Sequence, residues 1–347
     1  MPDASFLSIV VPFHNSAATC LPLLDVLASL DGSEPVELIF VDDGSTDGTV
    51  GVLQEFASHS RAPVQIIARS RGGPGAARNS GVAVAQGKYV WFVDSDDTID
   101  LGAVALAREA DCPDLDLIVW DWDHPTIKQR LAPGLHSTSD GPAPADVFDP
   151  VVCNWFSRSF LQRTGLRFPE YCFYEATPIE AFILPLVLDQ YRKVDFKAYF
   201  ANVDTPSITR GSGRFAPARY DCLHTIALGM EFVDQAKLDE VARTQFEAAF
   251  VHLFLWYVIS LSPLPGRSWL RAMRVMRLYR ARAKRLRVLV DPLSLYPGSR
   301  ASRLIVQFLW RLSAALPPQD IYFQRLRRGV WNRDIVWQFP VIPPRWR

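Results

Sequence analysis

The sequence predicts an α/β fold: a mostly parallel sheet with helices on both faces, followed by a mainly helical C-terminal region. Three observations predict it. Short β-branched runs alternate with helix-spaced stretches through about residue 120. Those runs are apolar along nearly their whole length, the pattern of strands covered on both faces. From Phe215 to about Leu316 the spacing is almost wholly helical.

The elements follow in order. Leu7 to Pro12 is the first strand, and Ala17 to Leu30 has helical spacing. Val36 to Val41 is the second strand, followed by a helix from about Thr49 to Ser58. Val64 to Ala68 is the third strand, and the alanine-rich stretch from Gly75 to Ala85 is a helix. Tyr89 to Val93 is the fourth strand, Leu101 to Ala110 a helix, and Leu115 to Trp120 a fifth strand. Residues 132–150, rich in Pro, Gly, Ser and Asp, read as a loop. Mixed signals return from Asn154 to Ile208, and the last thirty residues are aromatic, basic and proline-rich. There is no internal repeat. The length of 347 residues suits one large domain or two smaller ones, and the expected division is 1–214 and 215–347.

Charge is distributed unevenly. Residues 1–150 carry 8 Lys/Arg and 22 Asp/Glu, residues 151–261 carry 11 and 12, and residues 262–347 carry 18 and 3. Acids gather where a cation can bind, and bases gather at the C-terminal end, which suggests two jobs on one chain. The acidic N-terminal half would repel nucleic acid. The five cysteines have no CxxC pair, so neither a zinc site nor a disulfide framework is expected, and a reducing cytoplasm is the simple reading. No basic region precedes the first apolar run, so no signal peptide is expected. The longest apolar run, Ala248 to Leu261, is shorter than the roughly 20 residues a bilayer span needs. It predicts a buried helix.

Ligands of such sheets sit beyond the carboxyl ends of the strands, so the residues after each strand carry the functional reading. The second strand ends in Val41-Asp42-Asp43-Gly44-Ser45-Thr46-Asp47. A carboxylate there can accept a hydrogen bond from a nucleobase imide N–H, and Gly44 permits a tight turn. Asp47 or Thr46 can cap the next helix. The fourth strand leads into Asp94-Ser95-Asp96-Asp97, whose carboxylates repel one another unless a cation sits among them. Hard divalent ions such as Mn²⁺ or Mg²⁺ suit that set together with phosphate oxygens. Its bland alternative is an acidic loop capping the following helix. Between the two acidic motifs lies Gly72-Gly73-Pro74-Gly75-Ala76-Ala77-Arg78-Asn79-Ser80-Gly81. Its helix N-terminus can face a phosphate, and Arg78 can pair with a phosphate or lock an aspartate of the acidic cluster. No GxGxxG follows the first strand and no GxxxxGK[ST] occurs, which disfavours nicotinamide cofactors and P-loop nucleotides.

Together these motifs resemble the family 2 glycosyltransferases of the GT-A fold, of the bacterial surface-polysaccharide type. The matching residues are Val11-Pro12-Phe13-His14-Asn15, the VDDGSTDGT of 41–49, the GPGAARNSG of 73–81 and the FVDSDD of 92–97. A weaker likeness runs through Trp155 to Arg158, Arg167 to Glu170 and Ser207 to Arg210. The resemblance implies a Rossmann-like catalytic domain for a nucleoside diphosphate sugar, with UDP favoured. Pro12 and Asn15 would shape the nucleotide pocket, Asp43 and Asp42 would read the base, and Arg78 would support the nucleotide side. Asp94 would touch the ribose or sugar, and Asp96, with Asp94, would hold the metal. It also implies inversion at the anomeric carbon and a glycan or lipid-linked acceptor. One departure stands out. The family usually shows a Glu-Asp pair whose Asp is the base, whereas this chain reads Glu175-Ala176. Glu175 is the expected replacement, with Glu180 behind it. The alternatives are an N-terminal helix acid at Glu175 and a catalytically silent nucleotide-sugar or glycan-binding protein. A nucleotidyltransferase ranks last, because its glycine-rich first loop is missing.

From Arg267 to Arg287 there are nine Lys/Arg and no acid. On a helical wheel Trp269, Met273, Val275, Met276, Tyr279, Ala283 and Leu286 fall on one side, opposite the arginines. This predicts an amphipathic cationic helix that lies on an anionic membrane surface, placing a cytoplasmic protein at the inner face of the cell membrane. Packing of the same helix on the acidic domain is the alternative.

Overall fold

The protein's structure, a computed structural model, describes residues 5–123, 131–139, 142–143, 150–202, 218–260 and 335–347. The predicted alternation is present in its first half. It runs β1 (Leu7–Phe13), α1 (Leu21–Leu27), β2 (Val36–Asp43), α2 (Thr49–His59), β3 (Val64–Arg69), α3 (Pro74–Val84) and β4 (Tyr89–Phe92). Strand β1 pairs in parallel with β2 on one side and with β4 on the other, and β2 pairs in parallel with β3. Ile9, Val10 and Val11 of β1, Leu38 to Val41 of β2 and Tyr89 to Phe92 of β4 are fully buried. Covered faces explain why these strands carry no alternating polar residues.

Helix α3 lies close against the sheet because it is glycine-bearing on two sides. A Cβ on Gly81 would sit 2.3 Å from Val10 Cγ1, and one on Gly75 would sit 2.1 Å from the Pro169 carbonyl oxygen. No other residue fits either place without displacing its neighbour, so α3 is held between β1 and the 165–175 segment.

Beyond β4 the sheet is mixed rather than parallel. The chain continues through β5 (Thr98–Ile99), α4 (Ala103–Ala110), β6 (Leu117–Asp123), β7 (Gly134–Ser137), β8 (Asn154–Ser157) and α5 (Arg158–Thr164). A π-helical turn at Ile179–Ile183, α6 (Leu184–Val187) and β9 (Gln190–Phe200) follow. The strand order is β3-β2-β1-β4-β8-β6-β9-β5, with β7 on β9. Strand β8 is antiparallel to both β4 and β6. It brings Trp155 between Trp91 and Trp120, at ring centroid distances of 4.9 and 5.1 Å. The fifth strand of the expected parallel series is therefore displaced by one position. Strand β7 also corrects the expected loop at 132–150: its backbone pairs with β9, and His136 stacks on Tyr191 at 5.1 Å.

Helices α7 (Ala218–Val233) and α8 (Glu240–Ser260) pack on the same body. Met230, Phe232, Phe246 and Phe250 join the buried core that contains the sheet residues. Residues 335–347 return to it as well. Trp337 Nε1 donates to the Arg167 carbonyl, the Val341 N–H to the Thr164 carbonyl, and Trp346 Nε1 to the Leu186 carbonyl. The described parts of 215–347 thus share one core with residues 5–202. The basic stretch 267–287, the 207–210 match and the expected boundary after residue 214 lie outside the described residues. Among the described residues no helix is long and apolar enough to cross a membrane.

Candidate active site

Strand β1 is the topological switch point, since β2 and β3 lie on one side of it and β4 on the other. The loops leaving β1, β2 and β4 meet at the carboxyl edge there. Asn15, in the left-handed region with φ 52, donates its N–H to Ser45 Oγ at 2.9 Å and accepts from the Thr46 N–H at 2.8 Å. Ser16 Oγ lies 3.0 Å from Ser95 Oγ, tying the first loop to the acidic loop. Asp47, one residue before the N-cap Gly48, accepts from the Thr49 N–H and hydroxyl and so ties down the first residue of α2. Pro12 is half-buried in β1, opposite Val41. The edge therefore gathers Pro12, Asn15, Asp42, Asp43 and Asp94 to Asp97, as the alternation predicts.

Asp43 is committed to partners within the protein. Its carboxylate is buried and accepts from the Gly73 N–H at 2.7 Å, the Gly72 N–H at 2.9 Å and Arg69 Nη1 at 2.5 Å. A carboxylate of the protein itself thus takes the place at the N-terminus of α3 that was expected to face a phosphate. The helix dipole and the loop N–H groups favour a negative charge there from any source. Asp42 is also buried, and its oxygens accept from the Ser45 N–H at 3.3 Å. Of the two, Asp42 keeps more acceptor capacity for an incoming donor.

Arg78 projects from α3 into the protein and is only 4% exposed. One guanidinium nitrogen donates to Asp94 Oδ1 at 2.6 Å and the other to Glu175 Oε1. The Phe168 ring lies 5.4 Å from the guanidinium carbon. Among the described residues Arg78 Nε has no hydrogen-bond partner. Burial lowers the Arg78 pKa, but the two carboxylates outweigh it and hold the guanidinium above its ordinary value. Burial raises the Glu175 pKa, with Arg78 pulling the other way. Glu175 therefore reaches the site, yet as a buried partner of Arg78 rather than as an open carboxylate. The loop that carries it is pinned to α3. The Asn79 side chain donates to the Phe168 carbonyl and accepts from the Phe168 N–H, each at 2.9 Å, and the Tyr171 N–H donates to the Gly72 carbonyl. Tyr171 and Tyr174 adopt φ 57 and 59, outlying values for bulky side chains. Glu180 is buried, and its carboxylate accepts from the Val151 N–H.

The acidic loop divides its carboxylates. Asp97 turns inward, accepting from the Tyr199 hydroxyl and from the Asn202 N–H at 2.7 Å. Burial, with Asp94 and Asp96 nearby, pushes its carboxyl up to about 7 against those bonds. Among the described residues no group of three or more His, Cys, Asp or Glu side chains is placed to hold a metal. Asp94 and Asp96 are two, which fits a hard divalent ion that takes one or two carboxylates and completes its shell with phosphate oxygens. The partners missed from sequence are Arg69, Asn79 and Tyr199. Arg69 had a signal, since it stands directly opposite Asp43 in the β2–β3 register.

Fold and site together define a GT-A type α/β domain with its ligand edge at the switch point of the sheet. Residues 8–130 match the family model Glycosyl transferase family 2. Over 105 residues it is 41% identical to a poly(ribitol-phosphate) beta-glucosyltransferase of Bacillus spizizenii. That match covers 29% of this chain and 16% of the relative. Among solved structures, residues 1–349 of S. aureus TarS in complex with UDP-GlcNAc superpose with a TM-score of 0.66 at 19% identity, covering 96% of this chain and 97% of that one. A Pyrobaculum calidifontis mannosyltransferase in complex with GDP-Man and Mn2+ gives 0.52 at 14% identity, covering 94% and 88%. These two likenesses speak for the fold.

Proposed function

We propose that the chain is an inverting, metal-dependent glycosyltransferase of the hexosyltransferase type. It moves a sugar from a nucleoside diphosphate donor, with UDP favoured, to a hydroxyl of a surface glycan or lipid-linked acceptor. The observation that carries the reading is the convergence at one sheet edge of the β1, β2 and β4 loops, with Asp94 locked by Arg78 beside Asp96. The likeness to structures holding UDP-GlcNAc and GDP-Man with Mn2+ supports a donor of this class.

In this reading Pro12 and Asn15 shape the nucleotide pocket, and Asp42, less committed than Asp43, accepts from the base. Asp43 acts by holding the glycine loop that walls the pocket. Asp96 and the second oxygen of Asp94 would hold Mn²⁺ or Mg²⁺ against the diphosphate, where the ion neutralises charge on the leaving group. The acceptor hydroxyl oxygen forms a bond to the anomeric carbon as the bond to the diphosphate breaks. The bonding pair leaves with the diphosphate oxygen, and the hydroxyl proton passes to Glu175. A second reading, a silent nucleotide-sugar or glycan-binding protein, is favoured by one observation: Ala176 offers no proton acceptor, and Glu175 is held by Arg78.

Calorimetric titration with UDP, UDP-sugars and GDP-mannose tests the donor side. Nucleotide affinity is expected to rise with Mn²⁺, and Asp96→Ala should remove that dependence while sparing metal-free binding. Affinity indifferent to EDTA in the wild type would count against the metal site. The basic stretch 267–287 carries the proposal of a peripheral place on an anionic membrane, each basic residue being worth about 1 kcal/mol near such a surface. Replacing Arg271, Arg274 and Lys284 by Glu should release the protein from anionic vesicles. Equal binding to neutral and anionic vesicles would remove the electrostatic case.

A further inference from the structure

The sequence offers three acids in the Asp94 to Asp97 loop, and the structure treats the last of them differently. Both oxygens of Asp97 are engaged from the protein side, Oδ2 by the Tyr199 hydroxyl and Oδ1 by the Asn202 N–H. Tyr199 is fully buried near the end of β9, and β9 pairs with β5 immediately after the acidic loop, with Ile99 opposite Tyr199. The same hydroxyl that donates to Asp97 accepts from the Asp94 N–H at 3.3 Å. The Asp97 N–H in turn donates to the Asp94 carbonyl. One phenolic oxygen therefore touches both ends of the four-residue loop, and it comes from a strand about a hundred residues later. A buried hydroxyl with a donor and an acceptor both matched fixes the loop backbone in one arrangement. The backbone so fixed is the one from which the Asp94 and Asp96 side chains start.

We infer that Tyr199 is a positioning residue for the donor-side acidic loop and that Asp97 is its strut, not a third metal ligand. The inference rests on the nucleotide-sugar reading for its consequence, since it is Mn²⁺-linked nucleotide binding that a displaced loop would weaken. It reaches beyond that reading by assigning work to a phenol that no sequence motif marks. With Asp97 turned inward, Asp94 and Asp96 are the carboxylates of this loop left for a cation.

Two measurements on the full chain test it. In Tyr199→Phe, which keeps the buried ring, amide exchange at Asp94 in the metal-free protein should quicken, because its acceptor is gone. Mn²⁺-dependent UDP affinity should fall about tenfold, the worth of one hydrogen bond to a charged group, while metal-free UDP affinity stays unchanged. A general loss of structure would lower both affinities and the melting temperature together. Asp97→Asn, which keeps the shape but only one of the two acceptor oxygens, should weaken Mn²⁺-dependent UDP binding no more than Tyr199→Phe does and keep a response to Mn²⁺, unlike Asp96→Ala. Unchanged exchange at Asp94 in Tyr199→Phe overturns the positioning role, and an Asp97→Asn protein as blind to Mn²⁺ as Asp96→Ala makes Asp97 a ligand. If the wild type binds UDP neither with nor without Mn²⁺, the donor reading fails, and the exchange measurement alone decides the role of Tyr199.

Discussion

Glu175→Gln is expected to reduce sugar transfer by about 10²–10⁴-fold, the usual contribution of a general base, while leaving donor affinity intact. Glutamine retains the shape and the carbonyl oxygen that can accept from Arg78, so the contact that fills this part of the site survives as a neutral hydrogen bond. What is lost is the ability to take a proton. Burial raises the Glu175 pKa above the ordinary carboxylate value, the direction that makes it a stronger base. The acid limb of the pH–rate profile should therefore lie above the ordinary carboxylate range and disappear in the variant. Geometry works against this role: the side chain is 7% exposed and one oxygen faces Arg78. Only Oε2 is left to meet an acceptor hydroxyl, and the loop has to admit that hydroxyl. Release of nucleoside diphosphate with an identified acceptor measures the effect. Full turnover in Glu175→Gln would place the base elsewhere. A wild type that binds a nucleotide sugar but transfers to no acceptor would make the silent binding protein the better account.

How much of this was legible in the sequence depends on distance along the chain. Strands β1 to β4 declare themselves by apolar runs, and the rule for ligands of open sheets brings Asp43 and Asp94 to one edge without coordinates. The insertion of β8 does not, because four residues, Asn154–Ser157, carry no signal of direction or neighbour. The irregular turn before α6 has a local cause that is readable afterwards. Pro185 has no N–H for the Ala181 carbonyl, and the ladder passes through a π turn at Ile179–Ile183. The side-chain partnerships were out of reach for a different reason. Arg78 meets Glu175 and Tyr199 meets Asp97 across roughly a hundred residues, and nothing local in either segment marks its partner. The same holds for Asp43: sequence shows a carboxylate at a strand end, and only the folded loop shows that Gly72 and Gly73 have already claimed it.

Arg78→Met is expected to destabilise the fold by ~3–5 kcal/mol at neutral pH, the range for removing one partner of a buried ion pair. The cost falls chiefly on Glu175, since Asp94 is 40% exposed and water can serve it, whereas Glu175 is 7% exposed and would be left as an uncompensated charge. The loss should depend on pH, and its sign follows from the direction of the Glu175 shift. Burial already raises this carboxyl, and without Arg78 nothing but its own backbone opposes burial and the nearby Asp94. A carboxyl raised in the folded state binds its proton more readily there than in the unfolded chain. The resulting stability is fully present below the unfolded pKa and is lost as pH rises through the folded one. Urea unfolding should therefore show a smaller penalty for Arg78→Met in mild acid than at pH above neutrality, and an equal penalty at both would exonerate Glu175. Arg78→Lys should recover only part of the loss, because a single ammonium cannot reach Asp94 and Glu175 in the forked geometry of a guanidinium. The double variant Arg78→Met/Glu175→Leu removes the stranded charge together with its partner. Most of the stability should return in it and its pH dependence should flatten, since an apolar pair of similar volume can replace a buried ion pair at little cost.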